Sequence, residues 1–350
     1  MKIRSFIAVS IALLFVTSCG NNKMTQVTGD FATDSPSKVT ISVPGQEEEF
    51  PVEVVDGKFS VSVPANLTAQ SLLSADNGIK IHFISDGTPI NISIQDVRNF
   101  TITSKKPKAS IQERSTAFKS DLEALSNKYK EMAEALGKEK MDSLYDAFEV
   151  EYLDLNKKVL KANTSNIIAV TALKNLQYDL PADELQKLVN KLDPALAENT
   201  SVANIKKVLD AKLATAEGAK FTDFEVNGTK FSSYVGNGKY MLVDFWASWC
   251  APCKAEIPNI KNVYEKYAGK DFDVLSVAVW DKPQATIDTA KVYGIEWNQI
   301  IDAQKIPTDI YGIQGIPHII LFGPDGTILK RDLREEGIEA EVAKYVQPKN

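Results

Sequence analysis

Two cysteines stand two residues apart in Trp249-Cys250-Ala251-Pro252-Cys253-Lys254. The apolar run ahead of them, Tyr240-Met241-Leu242-Val243-Asp244-Phe245-Trp246, reads as a buried strand. Lys254 to Tyr267 carries a helical pattern. The pair therefore sits where a strand hands over to the first turn of a helix. Free N–H groups and the positive dipole end there stabilise a thiolate, the reactive form of cysteine. A second thiol one turn along can close a disulfide with the first, so the chemistry on offer is a dithiol that cycles. A structural zinc wants four ligands, and the only other cysteine or histidine residues are Cys19, His82 and His318. A structural disulfide in so short a loop removes little chain entropy. No metal and no separate cofactor is expected beside the Cys250/Cys253 couple.

The 350 residues have room for two or three domains, and 44% hydrophobic with 25% charged residues is a folded composition. Net charge is −6; without residues 1–18, which hold Lys2 and Arg4, 38 bases face 46 acids. No basic patch stands out, which argues against nucleic acid as a partner. Lys2 and Arg4 precede an apolar run, Phe6 to Val16, too short to span a bilayer as a helix. Val16-Thr17-Ser18-Cys19-Gly20 then completes the layout of a secretory signal. Small residues before a cysteine resemble a bacterial lipobox, which implies a signal peptide over 1–18 and a lipid on Cys19. Residues 19–37 are expected to be a polar tether. The mature chain would then hold one lipidated cysteine and one pair, with no odd thiol.

Three zones are expected after the tether. Residues 38–104 alternate apolar and polar, as in Val39-Thr40-Ile41-Ser42-Val43 and Ile90-Asn91-Ile92-Ser93-Ile94, with breaks at Asp56-Gly57 and Asp86-Gly87. That pattern predicts a small antiparallel β domain, a sandwich, with His82 a surface or edge residue. Residues 105–216 carry apolar positions three and four apart and predict an array of amphipathic helices. Residues 217–350 alternate strands and helices and end in a hairpin around Pro324-Asp325-Gly326, which predicts a mixed sheet with helices on both faces.

Val243 through Lys254 resembles the active-site stretch of the thioredoxin superfamily. Gly312-Ile313-Gln314-Gly315-Ile316-Pro317, followed by an apolar strand, is similar to that family's cis-proline loop. The segment between Val279 and Tyr311 looks like the insertion of TlpA/ResA-type oxidoreductases. The resemblance covers roughly the last 130 residues. It implies a thioredoxin-like α/β domain in which Cys250 attacks and Cys253 resolves the mixed disulfide. Buried Asp244 would take the Cys253 proton. Pro317 would be cis and Ile316 would offer its backbone to a substrate strand. Trp249, Ala251 and Pro252 would form the docking face, with Trp246 flanking or in the core. Pro258 would kink the helix. The implied activity is protein disulfide reduction at the cell envelope, facing the periplasm, on inner or outer membrane. The implied partners are protein thiols or disulfides, apocytochrome c among the clients in cytochrome c maturation, and a membrane thiol donor.

Two alternatives stay open. Cys250, Cys253 and His318 together offer a copper-ligand set, which would make a metallochaperone. A thiol peroxidase would want Thr or Ser three residues before the attacking cysteine, where Ala247 stands.

Overall fold

The computed structural model describes residues 23–136 and 141–349, and these fall into two compact units that divide between Ala135 and Leu136. Cys19 and the expected signal segment lie outside the described residues. Among the described residues no helix is long and apolar enough to cross a membrane.

The first unit holds eight strands: β1 Met24–Phe31, β2 Lys38–Ser42, β3 Phe50–Glu53, β4 Lys58–Pro64, β5 Ser71–Ala75, β6 Lys80–Phe83, β7 Ile90–Ile94 and β8 Phe100–Ser104. They pair into two sheets, β4-β1-β7-β8 and β3-β2-β5-β6. Alternating residues of both sheets, among them Val27, Ile41, Leu73, Ile81 and Ile92, are fully buried in one core, so the unit is a sandwich. His82 is exposed on the edge strand β6, as expected. Two expectations need correction. Met24–Phe31 is an inner strand and not tether: its composition is polar, but Val27, Gly29 and Phe31 share the inner face. The sandwich is also not wholly antiparallel, because β1 runs parallel to β7. A crossing connection through the second sheet separates that pair. Helix α1, Ile111–Leu136, follows. Its first turn is tied to the sandwich by buried Asp86, whose carboxylate accepts from the backbone N–H groups of Ile111 and Gln112 and from the Ser110 hydroxyl.

The second unit opens with helices α2 Met141–Ala162, α3 Ile167–Leu176, α4 Ala182–Val189 and α5 Thr200–Ala214. Their apolar stripes are buried at Leu160, Leu173, Leu176, Leu185, Ile205 and Leu209. Buried Asn156 accepts from Asn175, which pins α2 to α3 at 2.8 Å. The hairpin β9 Glu225–Val226 and β10 Thr229–Lys230 turns at Asn227-Gly228, both at positive φ. The sheet proper is β11 Tyr240–Trp246, β12 Phe272–Ala278, β13 Asn298–Ile300, β14 His318–Phe322 and β15 Ile328–Lys330, in the order β13-β12-β11-β14-β15. Helices α6 Ala251–Tyr267, α7 Pro283–Tyr293 and α9 Glu336–Val342 contribute to the core on one face. The short α8, Ile306–Tyr311, and the hairpin cover the other. This is the mixed sheet with helices on both faces that residues 217–350 predict.

The boundary expected at 216/217 is not a break in packing. α5 lies on α8 and the loop after it. Lys207 pairs with Asp309 at 2.9 Å, and Arg331 donates to the Thr215 carbonyl at the end of α5 and to the Tyr311 carbonyl, each at 2.6 Å. Gly312 has φ +63°, and a Cβ there would lie 2.6 Å from the Val208 carbonyl of α5, so only glycine allows this approach.

Candidate active site

β11 is the middle strand of its sheet, with β12 parallel on one side and β14 antiparallel on the other. Every residue from Met241 to Trp246 is buried, which explains the apolar run. The strand ends against α6, and Cys250 is the N-cap of that helix. Its Sγ accepts a hydrogen bond from the Cys253 backbone N–H at 3.1 Å. Pro252 sits in the first turn, where a missing N–H leaves no bond unmade. Cys250 and Cys253 are joined as a disulfide, and both are buried. Exposed Trp249, Ala251 and Pro252 surround them, and Lys254 is half-buried. Pro258 lies inside α6. Trp246 is core, with no hydrogen-bond partner for its indole N–H among the described residues.

The Ile316–Pro317 bond is cis. The loop brings the Ile316 carbonyl to 3.7 Å from Cys250 Sγ. With the sulfur in a disulfide this is a contact and not a hydrogen bond. Ile316 is half-buried and Gly315 exposed, so the loop's backbone is accessible beside the sulfurs.

Asp244 is buried in the centre of β11, and neither carboxyl oxygen has a hydrogen-bond partner of good geometry. Burial pushes its pKa up to about 7. The Arg334 cation and the Ser276 hydroxyl opposite it pull the other way, and Glu256 adds to the rise.

His318 follows Pro317, and its ring is engaged by Asp332 and Arg331. Its Nδ1 lies 3.3 Å from the Asp332 carboxylate, and its Nε2 lies 3.2 Å from the Arg331 guanidinium. Burial lowers its pKa, so the ring is neutral near pH 7. Among the described residues no group of three His, Cys, Asp or Glu is placed to hold a metal ion. The geometry thus gives the copper-ligand alternative no support.

Several polar residues around the site are not evident from sequence. Glu256, one turn after Cys253, is buried and accepts from the Glu335 backbone N–H at 3.1 Å. On a helical wheel it looks like one more solvated charge. Arg334 donates to the Pro317 carbonyl and pairs with Asp332 at 2.8 Å. Asp281 gathers the Ser248 N–H at 2.6 Å, the Ser248 and Thr286 hydroxyls at 2.9 Å and its neighbour's N–H at 2.8 Å. Burial alone would raise its pKa, but the Ser248 hydrogen bonds and the others hold it below the usual range. Through Asp281 the turn before the cysteines is fixed to the start of α7. Trp249 extends this link, its indole N–H donating to the Trp280 carbonyl at 3.0 Å. An open cleft of about 540 Å³ lies here, lined by Trp249, Trp280, Lys282, Pro283 and Gln304.

A model of the AhpC/TSA family matches residues 210–331, an interval that begins inside α5. Thiol-disulfide oxidoreductase ResA of Bacillus subtilis is 27% identical over 126 residues, which cover 35% of this chain and 70% of that protein. ResA of Geobacillus thermodenitrificans is also 27% identical, over 122 residues, 34% of this chain and 70% of that protein. Among solved structures, the thioredoxin domain of a thiol-disulfide oxidoreductase from Bacteroides vulgatus is 26% identical, covering 38% of this chain and 97% of that one, with a TM-score of 0.33.

Proposed function

We propose that the C-terminal part of this chain, a thioredoxin-like domain similar to thiol:disulfide oxidoreductases, reduces protein disulfides outside the cytoplasm through Cys250 and Cys253. The observation that carries this reading is the cysteine pair at the start of α6 beside the loop of exposed Gly315 and half-buried Ile316.

In the reduced protein Cys250 is the nucleophile. The helix N-terminus and the Cys253 N–H favour its thiolate. It attacks one sulfur of a client disulfide, forming a mixed disulfide and releasing the other client sulfur as a thiolate that takes up a proton. Cys253 then loses its proton, with Asp244 as the acceptor, and attacks Cys250 Sγ. The second client sulfur leaves, and two electrons have passed from the dithiol to the client. Ile316 and Pro317 receive the client backbone, and Trp249, Ala251 and Pro252 form the docking face. The domain needs no cofactor beyond its own disulfide.

A lipid on Cys19 anchors the chain at the bacterial envelope, facing the periplasm. A membrane thiol carrier returns it to the dithiol state, and apocytochrome c is among its clients. The ResA name of the relatives supports the class of activity.

Direction is tested by equilibrating the protein with thiol/disulfide buffers and trapping free thiols. A potential near the thioredoxin end, about −270 mV, is expected; one near about −120 mV would make the protein a disulfide donor. Cys253→Ser should accumulate a client mixed disulfide on Cys250, whereas Cys250→Ser should accumulate none. Rapid turnover of peroxide by the reduced protein would favour the peroxidase alternative instead.

A further inference from the structure

The loop that receives the client has a second wall, and α5 supplies it. Lys212 of α5 donates from Nζ to the Gln314 side-chain oxygen at 2.9 Å, and the Gln314 amide reaches Gln177 at 3.4 Å. Gln314 stands two residues before Ile316, about 7 Å along an extended chain. Between them Gly315 is exposed, and a Cβ there would meet nothing within 4 Å. A client strand laid on Ile316 can therefore pass over Gly315 and bring its next side chains to Gln314 and Lys212.

The charge balance at this wall is one-sided. Among the described residues no carboxylate lies within ion-pair distance of Lys212, whose direct partner is the neutral Gln314 amide. Arg331 is the neighbouring cation. Arg331 is spent on the carbonyls of Thr215 and Tyr311, and the one close anion, Asp332, is shared between His318 and Arg334. Burial and the nearby Arg331 both lower the Lys212 pKa, and Asp332 only partly offsets them. A half-desolvated ammonium with no carboxylate in ion-pair distance gains from an anion brought to it.

We propose that Lys212 is a specificity residue that favours client disulfides carrying an Asp or Glu two or three residues from the attacked cysteine. This rests on the reading of Ile316 as the client-docking backbone. It gives α5 a part in selecting the client.

The test uses the full chain, pre-reduced, and two peptide disulfides that differ only in Glu or Lys at those flanking positions. Second-order rate constants for oxidation of the protein dithiol are followed by tryptophan fluorescence, with the uncharged hydroxyethyl disulfide as reference. Wild type should react about five- to ten-fold faster with the Glu peptide, a preference that shrinks as salt is raised. Lys212→Gln should lose the preference and Lys212→Glu should reverse it. All three should react equally with the reference. Gln314→Glu gives Lys212 an internal partner and should also abolish the preference, without altering Lys212 itself. Equal rates for the two peptides with wild type, or a preference that survives both Lys212→Gln and Gln314→Glu, would overturn the assignment. Failure to react with the reference disulfide would instead sink the redox reading beneath it.

Discussion

Asp244 is held in a state that its own chemistry resists. Its pKa is raised from an ordinary 3.8 to about 7, chiefly by burial. The folded protein therefore binds the Asp244 proton more tightly than the unfolded chain does. Stability associated with that proton is fully present below about pH 4 and is lost as pH rises through about 7. The shift corresponds to on the order of 4 kcal/mol across that window. Asp244→Asn, which cannot ionise, should be the more stable protein at pH 8, with the gap closing towards pH 4. Urea denaturation of both proteins at the two pH values measures this; a gap independent of pH would mean that the Asp244 pKa is not raised. The same variant should slow resolution of the client mixed disulfide if Asp244 takes the Cys253 proton.

At the level of elements, α5 and the end of α8 share a half-buried hydrogen-bond set centred on Arg331. Replacing Arg331 with Met would leave the Thr215 and Tyr311 carbonyls without this donor. A loss of about 3 kcal/mol is expected, read from the urea midpoint. A chain starting at 217 should suffer more, because it also uncovers Gly312 and the face of α8. What the sequence discloses follows the range of the interactions. The cysteine pair, buried Asp244 and Pro317 are legible because each stands in a local pattern of strand, turn and helix. Glu256, Asp281, Arg331 and Arg334 are not, because their partners are distant in the chain or are backbone groups. β1 is missed for another reason: its exposed face is so polar that the alternation of Val27, Gly29 and Phe31 reads as linker. The α5 packing is hidden because nothing in an amphipathic pattern names the surface its stripe will meet.

At the level of the whole molecule, two units with separate cores should fail separately. Asp86→Ala removes the acceptor for the first turn of α1 and should destabilise the first unit by roughly 2–3 kcal/mol. Disulfide turnover, which resides in the second unit, should stay unchanged. Limited proteolysis alongside a thiol assay checks both halves of this expectation; a matching fall in turnover would mean that the units are coupled. The position of β1 has its own consequence for anchoring. Were Cys19 lipidated, only residues 20–23 would separate the acyl chains from the first hydrogen-bonded strand. Four residues reach about 14 Å at full extension. On so short a leash the sandwich would ride at the lipid headgroups.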